Sequence, residues 1–202
     1  MHPLTLDDIV PLAEYAARRQ EFWEAHRNYR SRYRRVAVGP ELVVVFENRQ
    51  TLWFRVQEIL RLARIDETEL IQQELDWFNQ LLPGRDQLHA GLIVREAKGE
   101  EPAREWQFWS ELAGQHIRLQ IGKIAIPSLL RTCRPSDRAG GTAGWLEFSF
   151  SPQERARLAD FQQPLRIEAY YKDYRHSSGF LSNDIRQSLL EDLELADRRR
   201  AA

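Results

Sequence analysis

Residues 34–65 read RRVAVGPELVVVFENRQTLWFRVQEILRLARI and place a β-hairpin directly before an amphipathic helix. β-Branched residues lie on both sides of Gly39-Pro40, a dipeptide that is typical of turns. Asn48 has a side chain suited to capping the helix that we predict over residues 50–64. Apolar residues recur at helical spacing in that helix, so one of its faces is expected to pack on the core.

The sequence on both sides of this stretch predicts an α+β fold. Helical periodicity runs from about residue 5 to residue 33, and a further helix is predicted over 66–82, where Asp66 and Glu69 have capping-box spacing. The later part alternates in the manner of strands and ends in a C-terminal helix. Helices first and strands later favour N-terminal helices packed on a mainly antiparallel sheet over a doubly wound fold.

We expect residues 1–202 to form a single domain, with a helix-rich part that includes the β-hairpin at 1–83 and a strand-rich part at 84–202. A length of 202 residues and a hydrophobic content of 43% are sufficient for one packed core. In the strand-rich part, a second hairpin is predicted at Gly122-Lys123, and a short helix is predicted through Trp106 and Trp109.

Composition excludes several classes of protein. The formal net charge of −1 gives the chain no strong attraction to nucleic acid or to a membrane surface. The longest apolar run, 42–46, is too short to cross a bilayer, and the N-terminus lacks the features of a secretory signal. We therefore expect a cytoplasmic protein that does not associate with membranes, and we leave a homo-oligomer open.

Metal and cofactor signatures are absent from the sequence. Cys133 is the only cysteine, which excludes an intramolecular disulfide and any multi-cysteine zinc or iron–sulfur site within one chain. The histidines are scattered without ligand spacing, and neither a phosphate-binding glycine loop nor a dinucleotide-binding turn is present. We predict no cofactor and no stoichiometric zinc or iron, which elemental analysis of the purified protein would test.

Polar residues within the opening stretch are the first candidates for a site. Glu58 and Arg61 are i,i+3 neighbours on a helix and can pair, while Glu47 leaves its strand just before the helix cap. These charges either tie the helix to its neighbours or form an enzyme site for a small anion, with Glu47 or Glu58 as general base. The residues that would contact the ligand are Arg35, Asn48, Gln57 and Arg61.

His176 is the third candidate for a catalytic residue. It belongs to the predicted loop YKDYRHSSGF, in which Asp173 could orient the imidazole. Loops carry function more often than other segments, although most loop histidines are surface residues. Spacing does not decide between these readings, and whether the chain is an enzyme stays open.

The first predicted helix supports an alternative hypothesis, RNA binding. It interleaves arginines with aromatic residues, a combination that suits single-stranded RNA. Acidic residues on the same helix, the near-neutral charge and the lack of a known RNA-binding module argue against it. The residues concerned are Arg18, Arg19, Arg27, Arg30, Arg32, Arg34 and Arg35 with Trp23, Tyr29 and Tyr33.

Residues 34–65, together with ELDWFNQLLPGRDQLHAGLIV at 74–94, resemble an uncharacterised bacterial family known as a domain of unknown function. The family pattern runs R-R, V-x-V-G-P, F-E-N-x-x-T and Q-E-x-L-R, followed by E-L-x-x-x-N before a proline turn. The matching residues here are Arg34, Arg35, Gly39, Pro40, Phe46, Glu47, Asn48, Thr51, Gln57, Glu58, Arg61, Glu74, Leu75, Asn79 and Pro83.

The resemblance implies a setting rather than an activity. Similar proteins tend to be encoded beside rubrerythrin-like and iron–sulfur oxidoreductase genes, which implies a protein partner in a redox or peroxide-stress system. The leading hypothesis is therefore an accessory or binding protein of such a system, and a broad apolar patch near Trp106 and Trp109 would favour it. The family's Asp-His-x-x-Tyr-like element is altered here, because Asp173 and His176 are separated, and this weakens a site role for His176.

Overall fold

The computed structural model describes residues 1–95, 109, 111–131 and 143–194. The predictions that concern Trp106 and Cys133 lie outside the described residues. Within these ranges, no helix combines the length and the apolar character that crossing a membrane requires.

The described elements follow the predicted order, with three helices and the first hairpin before most of the strands. The helices are α1 (Leu12–Tyr33), α2 (Arg49–Ala63), α3 (Thr68–Asn79), α4 (Pro152–Ala159) and α5 (Asn183–Asp192). The strands are β1 (Arg35–Val38), β2 (Leu42–Glu47), β3 (Gln87–Val94), β4 (Ile117–Ile121), β5 (Ile124–Pro127), β6 (Leu129–Arg131), β7 (Gly144–Ser149), β8 (Leu165–Tyr171) and β9 (Tyr174–Ser177). Short 3-10 helices occupy Leu6–Asp8 and Gly114–His116.

Local sequence signals account for most helix starts. The Asn48 side chain accepts hydrogen bonds from the backbone N–H groups of Gln50 and Thr51, both at 3.1 Å, so the predicted cap of α2 is confirmed. The predicted capping box of Asp66 and Glu69 is wrong. Helix α3 begins one residue later, after Glu67, without a side-chain cap, because left-handed Arg64 ends α2 and leads into Ile65, which packs on the core.

The α+β fold with a C-terminal helix is confirmed, and its strands divide between two antiparallel sheets. One sheet has the order β1-β2-β3-β7-β6, and the other has the order β5-β4-β8-β9. The turns at Gly39-Pro40 and Gly122-Lys123 form both predicted hairpins, pairing Val38 with Leu42 and Ile121 with Ile124. Pairing between β2 and β3 joins the part before residue 83 to the part after it.

Two hydrophobic cores lie on opposite faces of the five-stranded sheet. Its inner face packs against the four-stranded sheet and the apolar side of α5, with Phe46, Leu92, Phe148, Ile167 and Leu189 fully buried. The outer face packs against α2 and α3. The second core consists of Leu4, Leu52, Val56, Leu60, Leu75, Phe78, Leu81 and Trp145.

Two side-chain amides hold the N-terminal segment on the second core. Asn79 accepts a hydrogen bond from the Leu4 N–H at 2.7 Å and donates to the Leu4 carbonyl at 2.9 Å. Gln57, oriented to satisfy its partners, accepts from the Val10 N–H at 2.6 Å and donates to the Val10 carbonyl at 3.3 Å. Each amide thus pairs with both backbone groups of one residue.

Candidate functional site

Three ionisable residues lie side by side on the outer face of the five-stranded sheet. The strand register places Glu47 opposite His89, and His89 opposite Glu147, so the three side chains leave the sheet on the same face. All three are at least nine-tenths buried. Alternation explains the placement, because the neighbouring residues in each strand fill the inner core.

Helix α2 contributes Arg55 to this face. Its Nε and Nη2 donate hydrogen bonds to Glu47 Oε1 at 2.9 and 2.7 Å, and its guanidinium lies 5.1 Å from the centre of the Trp145 ring. Gly91 makes this approach possible. A Cβ atom at Gly91 would lie 3.1 Å from Arg55 Nη2 and 3.3 Å from Glu47 Oε1, closer than side chains normally pack.

Helix α1 contributes His26 and Arg30. The His26 ring stacks on Phe54, with 3.9 Å between ring centres. Burial, and then the charge of Arg30, lowers the pKa of His26 to about 4, so its imidazole is neutral at pH 7. Burial and the charge of Arg55 lower the pKa of Arg30, whereas the Glu47 carboxylate raises it.

The opposite end of the face is built from His89 and Glu147. His89 Nδ1 lies 2.9 Å from the Leu81 carbonyl, so Nδ1 carries the proton and Nε2 presents a lone pair. Burial lowers the pKa of His89, which favours the neutral ring. Nε2 lies 3.7 Å from Glu147 Oε2, and that oxygen forms an ion pair with Arg131 Nη2 at 2.6 Å.

Arg35 extends the same face on β1. The register pairs it with Val45, which places it on the outer face at the edge of the sheet. Burial and the nearby Arg95 lower the pKa of the half-buried Arg35. We call this set of residues the polar layer: His26, Arg30, Arg35, Glu47, Arg55, His89, Arg131 and Glu147.

Several buried polar atoms of the polar layer have no hydrogen-bond partner among the described residues. They are His26 Nδ1, Arg30 Nε, Glu47 Oε2, His89 Nε2 and Glu147 Oε2. Glu147 Oε2 keeps its ion pair with Arg131, but without the alignment of a hydrogen bond. Buried polar atoms are nearly always paired in folded proteins, so this concentration of unused donors and acceptors is typical of a binding site.

The predicted Glu58–Arg61 pair is confirmed, and it lies in a separate cluster. Glu58 accepts hydrogen bonds from Arg61, Arg19 and the Tyr15 hydroxyl, at distances between 2.8 and 3.1 Å. Burial raises the pKa of Glu58, but these donors outweigh it and bring the pKa to about 2. Glu47 pairs with Arg55 instead, so the structure does not join Glu47 to this cluster by a hydrogen bond.

The other predicted site residues have structural contacts. Asn48 caps α2 with its oxygen, and its nitrogen donates to the Tyr29 hydroxyl at 2.8 Å. Gln57 is fully buried against Val10. His176 is exposed on β9 of the four-stranded sheet, where its ring packs 4.3 Å from the ring of Tyr174. Of the predicted residues, only Arg35 and Glu47 lie in the polar layer.

Sequence reasoning gave no site role to most of the polar layer. His26, Arg30, Arg55 and Glu147 converge from α1, α2 and β7, which lie far apart in the chain. The sequence did contain one local indication. His89 and Glu147 are ionisable residues within otherwise apolar strands, at positions that face the outer side of the five-stranded sheet. Two such residues in paired strands indicate a polar site on a buried sheet face.

The described residues contain no group of three or more histidine, cysteine, aspartate and glutamate side chains that could hold a metal ion. His89 and Glu147 approach each other only as a pair. Arg55 and Arg131 already balance the charges of Glu47 and Glu147, which disfavours a divalent cation. The metal content of the purified protein remains a prediction.

Comparison with known proteins places the chain in a family without indicating an activity. A structure described as a novel protein of unknown function from Burkholderia pseudomallei K96243 has a TM-score of 0.81 and 23% sequence identity. The alignment covers 95% of this chain and 99% of that one, and it shows a shared fold. No curated protein matches. Residues 3–193 match the family described as "Protein of unknown function (DUF3501)", and the chain therefore belongs to that family.

Proposed function

We propose that the chain binds a small anionic molecule in the polar layer and acts on it by proton transfer. The observation that carries the proposal is the set of buried donors and acceptors there without partners among the described residues. Arg30 and Arg35 supply the attraction for an anion. Both are half-buried, and neither forms an ion pair with a described carboxylate.

Glu47 is the general base of the proposed reaction. Arg55 holds Oε1 and fixes the plane of the carboxylate, which leaves Oε2 directed away from that contact. A carboxylate held in this way accepts a proton without first reorganising its own hydrogen bonds. The His26 ring, which is neutral at pH 7, adds Nδ1 as a second buried atom without a hydrogen-bond partner among the described residues.

Isothermal titration with inorganic phosphate, acetate and pyruvate tests the proposal. For any anion that binds, Arg30→Gln and Arg35→Gln should each weaken affinity by about tenfold or more, because each removes a charge-assisted contact. Arg61→Gln is the matched control, since Arg61 is engaged with Glu58. Absence of binding by every anion, or an equal effect of Arg61→Gln, would reject the proposal.

The accessory role in a redox system is a second proposal, and it rests on the family resemblance. The large exposed apolar side chains among the described residues include Trp23, Leu62, Leu129 and Phe180, and Trp109, the described member of the predicted patch, is buried. Affinity purification from the native organism, followed by mass spectrometry, tests it. Reproducible co-elution of an oxidoreductase would support the role, and elution without any would oppose it.

RNA binding has less support, because α1 uses many of its arginines in ion pairs. Arg18 pairs with Glu14 and Glu21, and Arg32 pairs with Asp184. Arg34 is buried and pairs with Asp192. Burial therefore withholds Arg34 from RNA, and Arg18 and Arg32, although exposed, would have to give up carboxylate partners to contact a phosphate.

A further inference from the structure

Glu47 Oε2, His89 Nε2 and Glu147 Oε2 form a row across three neighbouring strands, which we call the acceptor row. Each atom is buried and has no hydrogen-bond partner among the described residues. Each is also an acceptor, since His89 Nδ1 holds the ring proton against the Leu81 carbonyl. Glu147 Oε2 keeps its ion pair with Arg131, so Glu47 Oε2 and His89 Nε2 are the atoms of the row that require donors from a ligand.

The charge of the acceptor row indicates which donor it takes. Arg55 pairs with Glu47, and Arg131 pairs with Glu147, while burial lowers the pKa of His89 and so favours the neutral ring. The row and its two arginines therefore carry no net charge. Among the described residues, an ammonium group or a divalent cation would meet the positive charges of Arg55 and Arg131 with no carboxylate of the row in excess to balance it. A neutral hydroxyl supplies a proton without that cost.

We infer that the anion held by Arg30 and Arg35 also carries a hydroxyl group, which donates its one hydrogen bond to His89 Nε2 in the acceptor row. The ligand class is a small hydroxylated anion, either a hydroxy acid or a phosphate ester of a polyol. This inference rests on the proposed function, and it adds a hydroxyl group to the anionic group of the proposed ligand. Because Glu47 belongs to both the polar layer and the acceptor row, the hydroxyl lies beside the general base, where its proton can be removed.

Such a site discriminates strongly between ligands with and without the hydroxyl. An anion without it leaves buried acceptors unpaired in the complex, and that loss is larger than the loss of a solvent-exposed hydrogen bond. We expect glycolate to bind about tenfold or more tightly than acetate, lactate more tightly than propionate, and glycerol 3-phosphate more tightly than propyl phosphate. The carboxylate and phosphate pairs distinguish the two kinds of ligand.

His89→Asn tests the row with little change of shape. The Asn amide can keep the hydrogen bond to Leu81 but removes the Nε2 acceptor, so the preference for the hydroxylated member should fall to about one while the plain anion binds as before. His176→Asn is the matched control on the four-stranded sheet. If His89→Asn does not fold, as judged by its thermal melt, Glu147→Gln places an amide N–H opposite His89 Nε2 and should abolish the preference instead.

Titration of these ligand pairs separates failure of the inference from failure of the proposed function. If no anion binds, the proposed function and the inference both fail. If both members of each pair bind equally, or His89→Asn weakens both equally, the inference alone is overturned. Tighter binding of glycine than of glycolate, or stoichiometric Zn²⁺ binding that His89→Asn removes, would show that the row takes a cation and would also overturn it.

Discussion

Glu47, at the end of β2, and Glu58, within α2, illustrate how position decides the role of a residue. Glu58 lies between α1 and α2 and accepts hydrogen bonds from Tyr15, Arg19 and Arg61. Glu47 lies on the sheet and uses one oxygen, while the other has no hydrogen-bond partner among the described residues. The first arrangement has little capacity left for a ligand, whereas the second has an unused acceptor.

Glu58→Gln should lower stability without affecting anion binding. The amide cannot accept from two guanidinium groups and a hydroxyl as a carboxylate does, and we expect a loss of about 1–3 kcal/mol in the free energy of unfolding. Urea denaturation at pH 7 measures it. Glu21→Gln, in an exposed pair with Arg18, is the control and should leave the midpoint unchanged. Wild-type stability in Glu58→Gln would contradict the structural role.

At the residue scale, the sequence predicts contacts that depend on local spacing. The Glu58–Arg61 pair and the Asn48 cap follow from helix geometry over three residues. Arg19 reaches Glu58 from 39 residues away, and this contact required the packing of α1 on α2. The association of Glu47 with Arg55 and His89 could not be predicted for the same reason, because it depends on how α2 packs on the sheet and on the register of β2 and β3.

At the element scale, contacts with β9 hold the turn of the first hairpin in place. Gly39 adopts a φ of +70°, and a Cβ atom there would come within 2.5 Å of Tyr174 Oη and His176 Cγ. The Tyr174 hydroxyl donates to the Val38 carbonyl and accepts from the N–H groups of Glu41 and Leu42, both at 3.2 Å. The hydroxyl therefore binds both sides of the turn.

Tyr174→Phe should destabilise the protein by about 1–3 kcal/mol, because it leaves buried backbone groups of the turn without their partner. Thermal unfolding and hydrogen exchange at Glu41 and Leu42 measure the effect. Tyr170→Phe provides the matched control on the neighbouring strand, where the side chain is exposed. Equal effects of the two substitutions would show that the Tyr174 hydroxyl does not hold the turn.

The hairpin also shows which features of an element can be predicted from its own sequence. Gly39-Pro40 between β-branched runs predicts the turn, because the left-handed conformation is a local property of glycine. The partner Tyr174 lies 136 residues from Val38 and could not be identified from the turn itself. His176, predicted as a catalytic candidate, packs against this turn, and its site role remains a prediction.

At the scale of the whole molecule, the order of elements predicts the fold class but not the arrangement of strands. Helices followed by strands indicate α+β, and the chain confirms it. The division into two sheets depends on β3 pairing with β7 and β4 pairing with β8, across long intervals of sequence. The alternation of apolar residues indicates which face of a strand is buried, but it does not identify the neighbouring strand. The polar layer could therefore not be predicted from the sequence pattern alone.

The packing of helices on the five-stranded sheet makes the stability of the molecule depend on pH in two successive windows, which meet near pH 4. Burial, and then the nearby charges of Arg30 and Arg55, lower the pKa of His26 from 6.5 to about 4 on folding. The unfolded chain binds the proton more tightly, so this contribution is complete above pH 6.5 and is lost as the pH falls toward 4. For Glu58, with a folded pKa of about 2, the corresponding loss runs from pH 4.5 toward 2.

His26→Gln should remove the first window and leave the second. The glutamine cannot be protonated, so the loss of stability between pH 6.5 and 4, at most about 3 kcal/mol from this one residue, should largely disappear. Part of the slope should persist, because burial lowers the pKa of His89 in the same direction. Urea unfolding at pH 7, 5.5 and 4 gives the comparison, with exposed His2→Gln as the control. Glu58→Gln should in turn flatten only the part of the profile below pH 4.5. Parallel pH profiles for His26→Gln and the wild type would mean that the His26 ring does not stay neutral in the folded protein.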